Sequence, residues 1–103
     1  MLGALMEIEG FIKDKKLIED WMASEKEEIE SQDGFIDFWF NGTGIGIVIT
    51  GKYSGEFHVQ YDGNVSMHVT DANDNSVIAQ KSNTNDSSVL KNMFAKFKAA
   101  AIA

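Results

Sequence analysis

Residues 35–69 read FIDFWFNGTGIGIVITGKYSGEFHVQYDGNVSMHV, and their apolar side chains return at every second position through several consecutive runs. A period of two puts successive side chains on opposite faces of an extended strand. The stretch therefore predicts an antiparallel meander. In its first run Ile36, Phe38 and Phe40 share one face, while Phe35, Asp37 and Trp39 share the other. Both faces are rich in aromatics, so this strand is either covered on two sides or offers its second face to a partner.

Beyond a loop at Asn41-Gly42-Thr43-Gly44 the alternation resumes as Ile45, Ile47 and Ile49, which predicts a hairpin. Gly42, Gly44 and Gly46 do not make a phosphate-binding loop, because a β-branched run follows them rather than a helix N-terminus. A second turn falls at Gly51 to Gly55. After it, Phe57, Val59 and Tyr61 stand on one side of Asp62-Gly63-Asn64, and Val65, Met67 and Val69 on the other. A two-residue loop there would set Gln60 against Val65, polar against apolar. A three-residue loop with Asn64 left-handed pairs Tyr61 with Val65, Val59 with Met67 and Phe57 with Val69. That register places His58 directly opposite His68, with Cβ atoms about 5 Å apart. Two facing imidazoles with Glu56 nearby would be a minimal metal set, and the simpler reading is a pair of solvated sheet residues.

On the N-terminal side, Ile8, Phe11, Ile12, Ile18, Met22 and Ile29 recur at helical spacing from about Met6 to Ser31, widened by Leu17 and Trp21. Gly10, poor inside a helix, leaves the start open between one helix from about Met6 and a short first turn, a kink at Gly10 and the main helix from about Phe11. Asp33-Gly34 supplies the left-handed stop. Downstream, Asp71, Asn73 and Asn75 imitate the opening of a calcium loop, but Ser76 and Ser82 stand where such a loop needs Gly and Glu. Ser76 to Gln80 reads as a short edge strand, and Lys81 to Ser88 as a polar loop. The chain then offers helix N-cap chemistry at Asp86 or Ser87. Val89, Leu90, Met93, Phe94, Phe97 and Ala101 form the apolar stripe of a last helix, about Ser87 to Ala101. The expected fold is α+β over residues 1–103 as one domain: a helix, four or five antiparallel strands, and a helix, with both helices on one face of the sheet.

Composition narrows function more than any motif does. The chain has 103 residues, 44% of them apolar, enough to bury a core. It has no cysteine, which excludes disulfides, thiolate chemistry and cysteine-based zinc cages and suits a reducing cytoplasm. All nine basic residues are lysine and the net charge is −7, so a phosphate backbone would be repelled and no guanidinium is present to read it. Residues 1–40 hold eleven acids against four lysines, so the acidity belongs to the N-terminal part.

No serine stands in a nucleophile elbow, and the acids crowd one helix instead of pairing in tuned environments. An enzyme is not expected, nor a cofactor. The features left over are the acids Glu25, Glu27, Glu28, Glu30 and Asp33, the adjoining Asp37, and the aromatics Phe35 and Trp39. They point to a cytoplasmic protein-binding module of the inhibitor or immunity type that occludes a basic surface of its target. The alternative is a self-assembling subunit in which Leu2, Leu5, Met6 and the Phe35/Trp39 face meet other copies of the chain. A small-ligand binder with a pocket between sheet and helices ranks behind both.

Overall fold

A computed structural model of the chain describes residues 7–102. Along them run α1 (Ile8–Lys13), α2 (Lys15–Glu30), β1 (Phe35–Asn41), β2 (Gly44–Thr50), β3 (Ser54–Gln60), β4 (Asn64–Thr70), β5 (Ser76–Asn83) and α3 (Ser87–Ile102). The five strands form one antiparallel sheet in chain order, and the helices pack on one of its faces, an α+β fold as the periodicities require. Leu2, Leu5 and Met6, invoked above for self-assembly, lie outside the described residues.

The first helix breaks at Asp14, not at Gly10. Asp14 is extended (φ −85°, ψ 99°); its N–H closes α1 on the Phe11 carbonyl, and its carboxylate accepts from Leu17 N–H at 3.1 Å to open α2. Aspartate is among the best N-caps, and that local bond offsets the comparable cost of keeping the solvent-facing Gly10 inside α1. The break lets two short apolar faces, Ile8/Phe11/Ile12 and Ile18/Met22/Ile29, both reach the core. At the other end of α2 the left-handed residue is Asp33 (φ 61°), and Gly34 N–H returns to the Ile29 carbonyl at 2.9 Å.

Beneath the helices Ile45, Ile47, Ile49, Phe57, Val59, Val65, Met67 and Val69 are all buried. Across them Phe57, Phe94 and Phe97 stack edge to face or tilted, at centroid distances of 5.4 to 5.8 Å. Trp21 extends the cluster from Phe94 (5.1 Å) to Phe11 (5.6 Å), so one run of aromatics ties α1, α2, α3 and β3 together. Phe38 is only half-buried and Phe40 is exposed, because the helices do not cover the far end of β1.

Two registers differ from the expectation. The β3–β4 loop does have three residues, but they are Tyr61-Asp62-Gly63, with Gly63 as the left-handed one (φ 90°). Val59 therefore pairs with Val65 and Phe57 with Met67, while His58 faces Ser66 and His68 faces Glu56. The two histidines are not opposite each other. Glycine takes a positive φ more cheaply than asparagine, and a shift of two along the pair leaves every side chain on its predicted face. Strand β5, in turn, runs through Lys81 to Asn83, predicted as loop, because its backbone pairs with Asn64 to Ser66 and Asn83 Nδ2 donates to Asn64 Oδ1 at 2.8 Å. Polar side chains are no obstacle on an edge strand.

Candidate partner-binding surface

The sheet has an open face. Phe35 is 56% and Trp39 38% exposed on it, so the aromatic second face of β1 is uncovered rather than sandwiched. Trp39 reaches over Gly46 on the neighbouring strand, where a Cβ would collide with indole Cζ2 and Cε2. Its edge meets His58 at 5.8 Å. The glycine thus makes room for the indole. The rest of this face is a shallow concavity of about 760 Å³, lined by Val48 and by polar side chains including Glu56, His58, Ser66, His68 and Lys81. His58 Nε2 lies 3.0 Å from Glu56 Oε1. Among the described residues no three His, Asp or Glu side chains gather closely enough to hold a metal ion together.

The acids of α2 divide between two flanks of the helix. On the flank toward α3, Lys98 Nζ reaches Glu25 Oε1 at 2.9 Å and also bonds Glu28. Glu25 and Lys98 keep only 13% and 17% of their side-chain exposure. Burial alone would lower the Lys98 pKa, but the hydrogen bonds and charges of Glu28 and Glu25 outweigh it and hold the ammonium above its ordinary value. These two glutamates, predicted as partner-binding, are engaged within the chain. Their position near the negative end of the α2 dipole, unfavourable for a carboxylate, is answered by that lysine.

On the opposite flank Glu19, Ala23, Lys26 and Glu30 follow one another at helical spacing and overhang β1. Lys26 lies 4.0 Å from Glu30, and Glu19 has no lysine within that distance among the described residues. Beneath this flank is a groove of about 410 Å³ whose apolar walls are Met22, Ala23, Ile36 and Phe38, with Glu19, Lys26 and Asp37 around it. Asp33 stands just before β1, and Asp37, exposed within it, accepts the Phe38 N–H on Oδ1 at 2.9 Å. Glu27 and Glu30 are exposed on α2.

The predicted surface is thus brought together in part. Asp33, Phe35, Asp37, Trp39 and Glu30 adjoin one margin of the molecule, where α2 meets the sheet edge, and Glu27 lies further out on the helix. Glu19 and the groove beneath it were not singled out from the sequence, although the i, i+4, i+7, i+11 recurrence of Glu19, Ala23, Lys26 and Glu30 marks a common flank. No family model, curated protein or solved structure matches the chain. No helix among the described residues is long and apolar enough to cross a membrane.

Proposed function

We propose that this chain is a cytoplasmic protein-binding module that docks its α2/β1 margin on a basic surface of a target protein and occludes it. The observation that carries the reading is the division of the acids. Lys98 engages Glu25 and Glu28 on one flank of α2, while Glu19, Glu30, Asp33 and Asp37, four carboxylates against the two ammonium groups of Lys15 and Lys26, adjoin the exposed Phe35 and Trp39. Aromatic anchors beside one sign of charge suit a protein interface: the charges steer the encounter and the rings supply contact area. Self-assembly through the same margin is disfavoured, since it would bring the like-charged flanks of two copies together.

The test is capture from extracts of the native host on immobilised wild-type chain, on a Glu19→Lys/Asp37→Lys variant, and on a control reversed at the remote Asp74. The expected result is a set of captured proteins shared by wild type and control and lost from the margin variant. Retention should weaken between about 0.1 and about 1 M salt, over which the screening length falls from about 10 to about 3 Å. Identical capture by all three, insensitive to salt, overturns the proposal.

A further inference from the structure

The sheet has two free edges, and they are not alike. Strand β5 exposes Val77 but is polar from Gln80 to Asn83, carries Lys81 on its open face, and has a register irregularity opposite Val69/Thr70, and the last three features discourage further pairing. Strand β1 carries Phe38, Trp39 and Phe40 in succession, is regular over its seven pairs with β2, and has the apolar groove alongside it under α2. In an antiparallel pair, residues alternate between those that bond to the partner strand and those whose N–H and C=O turn away. The Phe38 N–H is taken by the Asp37 carboxylate, which assigns Phe38 to the second kind. Ile36 and Phe40, two residues to either side, then also turn their amides to the free edge.

We infer that this edge accepts an extended, basic segment of the partner protein as a sixth strand, a deepening that rests on the binding role proposed above. An added strand satisfies the edge amides of Ile36, Phe38 and Phe40 and sends alternate side chains to opposite sides. Those on the helix side enter the groove between Met22, Ala23, Ile36 and Phe38, and small apolar residues fit there. Those on the open side pass Asp37 and Trp39, where a lysine or arginine takes over the carboxylate that Phe38 N–H gives up. The charge selects the occupant. Four carboxylates, Glu19, Glu30, Asp33 and Asp37, stand around this edge against Lys26 and against Lys15, which lies over the Phe40 ring at 5.7 Å; the balance is still negative, so a cationic segment is favoured and the β1 edge of a second copy is opposed.

The probe is a short capped peptide alternating lysine and valine, titrated into the full ¹⁵N-labelled chain. Two controls accompany it: the same peptide with a central proline, and its glutamate–valine counterpart. The expected result is saturable shifts of the Ile36, Phe38 and Phe40 amides with slower hydrogen exchange. The proline peptide should bind about tenfold more weakly, because it lacks a ladder donor, and the acidic peptide should not bind. If the lysine peptide shifts only α2 resonances and proline makes no difference, strand addition is wrong while the acidic docking surface stands. If neither region responds to the basic peptide, both readings fail. If the Phe38 amide is already protected without peptide and the chain is dimeric by light scattering, the edge belongs to a second copy and the inference is overturned.

Discussion

Lys98 Nζ and Glu25 Oε1 lie 2.9 Å apart, 73 residues distant in the chain, and both side chains are largely withdrawn from water where they bridge α3 and α2. Glu28 completes the cluster. Removing the lysine alone would leave a half-buried carboxylate without its partner, which is more costly than losing an exposed pair. Lys98→Met is therefore expected to lower stability by about 1–3 kcal/mol in urea unfolding. Adding Glu25→Gln should recover part of that loss; if the double variant is worse by the sum of the two single effects, the pair is not coupled.

The pH dependence of the same contact has a definite sign. A lysine whose folded pKa is raised contributes stability that is fully present below its ordinary value of 10.5 and is lost as the pH rises through the folded value. Wild type and Lys98→Met should thus differ by a constant margin through neutral pH and converge as the ammonium is lost in strongly alkaline solution. Convergence near neutral pH would contradict the geometry.

Acid should act elsewhere. Backbone hydrogen bonds from Asn75 and Asn73 hold the Asp71 carboxyl below its ordinary value, and the Ser88 hydroxyl and N–H do the same for Asp86 at the start of α3. Groups of this kind stabilise the fold above the ordinary value of 3.8 and lose that contribution as the pH falls through their lower native values. The urea midpoint should decline below about pH 4. Asp86→Asn should make that decline shallower.

Gly46 has no room for a side chain while Trp39 lies over it. Gly46→Ala should displace the indole into solvent at a cost of about 1 kcal/mol, the low end for overpacking because the ring can swing outward. The indole N–H resonance of Trp39 should move while that of Trp21 stays in place. An unchanged Trp39 signal would mean that the ring does not rest on the glycine.

Phe94 touches Trp21, Phe57 and Phe97 and is 1% exposed. Phe94→Ala removes the ring that joins the helices to the sheet, and a loss of about 3–5 kcal/mol is expected in thermal or urea unfolding. Val89, read from the sequence as part of the same stripe, is instead 40% exposed because it precedes Leu90 on the solvent side of α3, and Val89→Ala should change stability little.

Asp37 also guards the edge it sits on. With the carboxylate gone, Asp37→Ala leaves the Phe38 N–H unpaired on a strand rich in aromatics. Concentration-dependent association in light scattering should be stronger than that of the wild type, and Asp37→Asn, which keeps an acceptor for that amide, should associate less than Asp37→Ala.

Which face each residue of the meander joins was legible in the sequence, because period-two alternation fixes sidedness and survives a slip of two residues. That is why Phe35, Asp37 and Trp39 were placed together correctly although the β3–β4 register was not. The register itself turned on one backbone choice, Gly63 rather than Asn64 taking the positive φ, and that choice separated His58 from His68. The break at Asp14 was a contest between a local cap and a glycine penalty of similar size, which propensity alone does not decide. The acids of α2 were visible as a cluster, yet their division depends on contacts that no local pattern records: Lys98 arrives from the last helix, and the flank of Glu19 and Glu30 acquires meaning because α2 settles over β1. Sequence periodicity determined the layers of this protein, since burying an apolar stripe is a local requirement; tertiary packing decided which charges cancel, which sheet edge stays open and what lies beside it, since those depend on which surfaces meet.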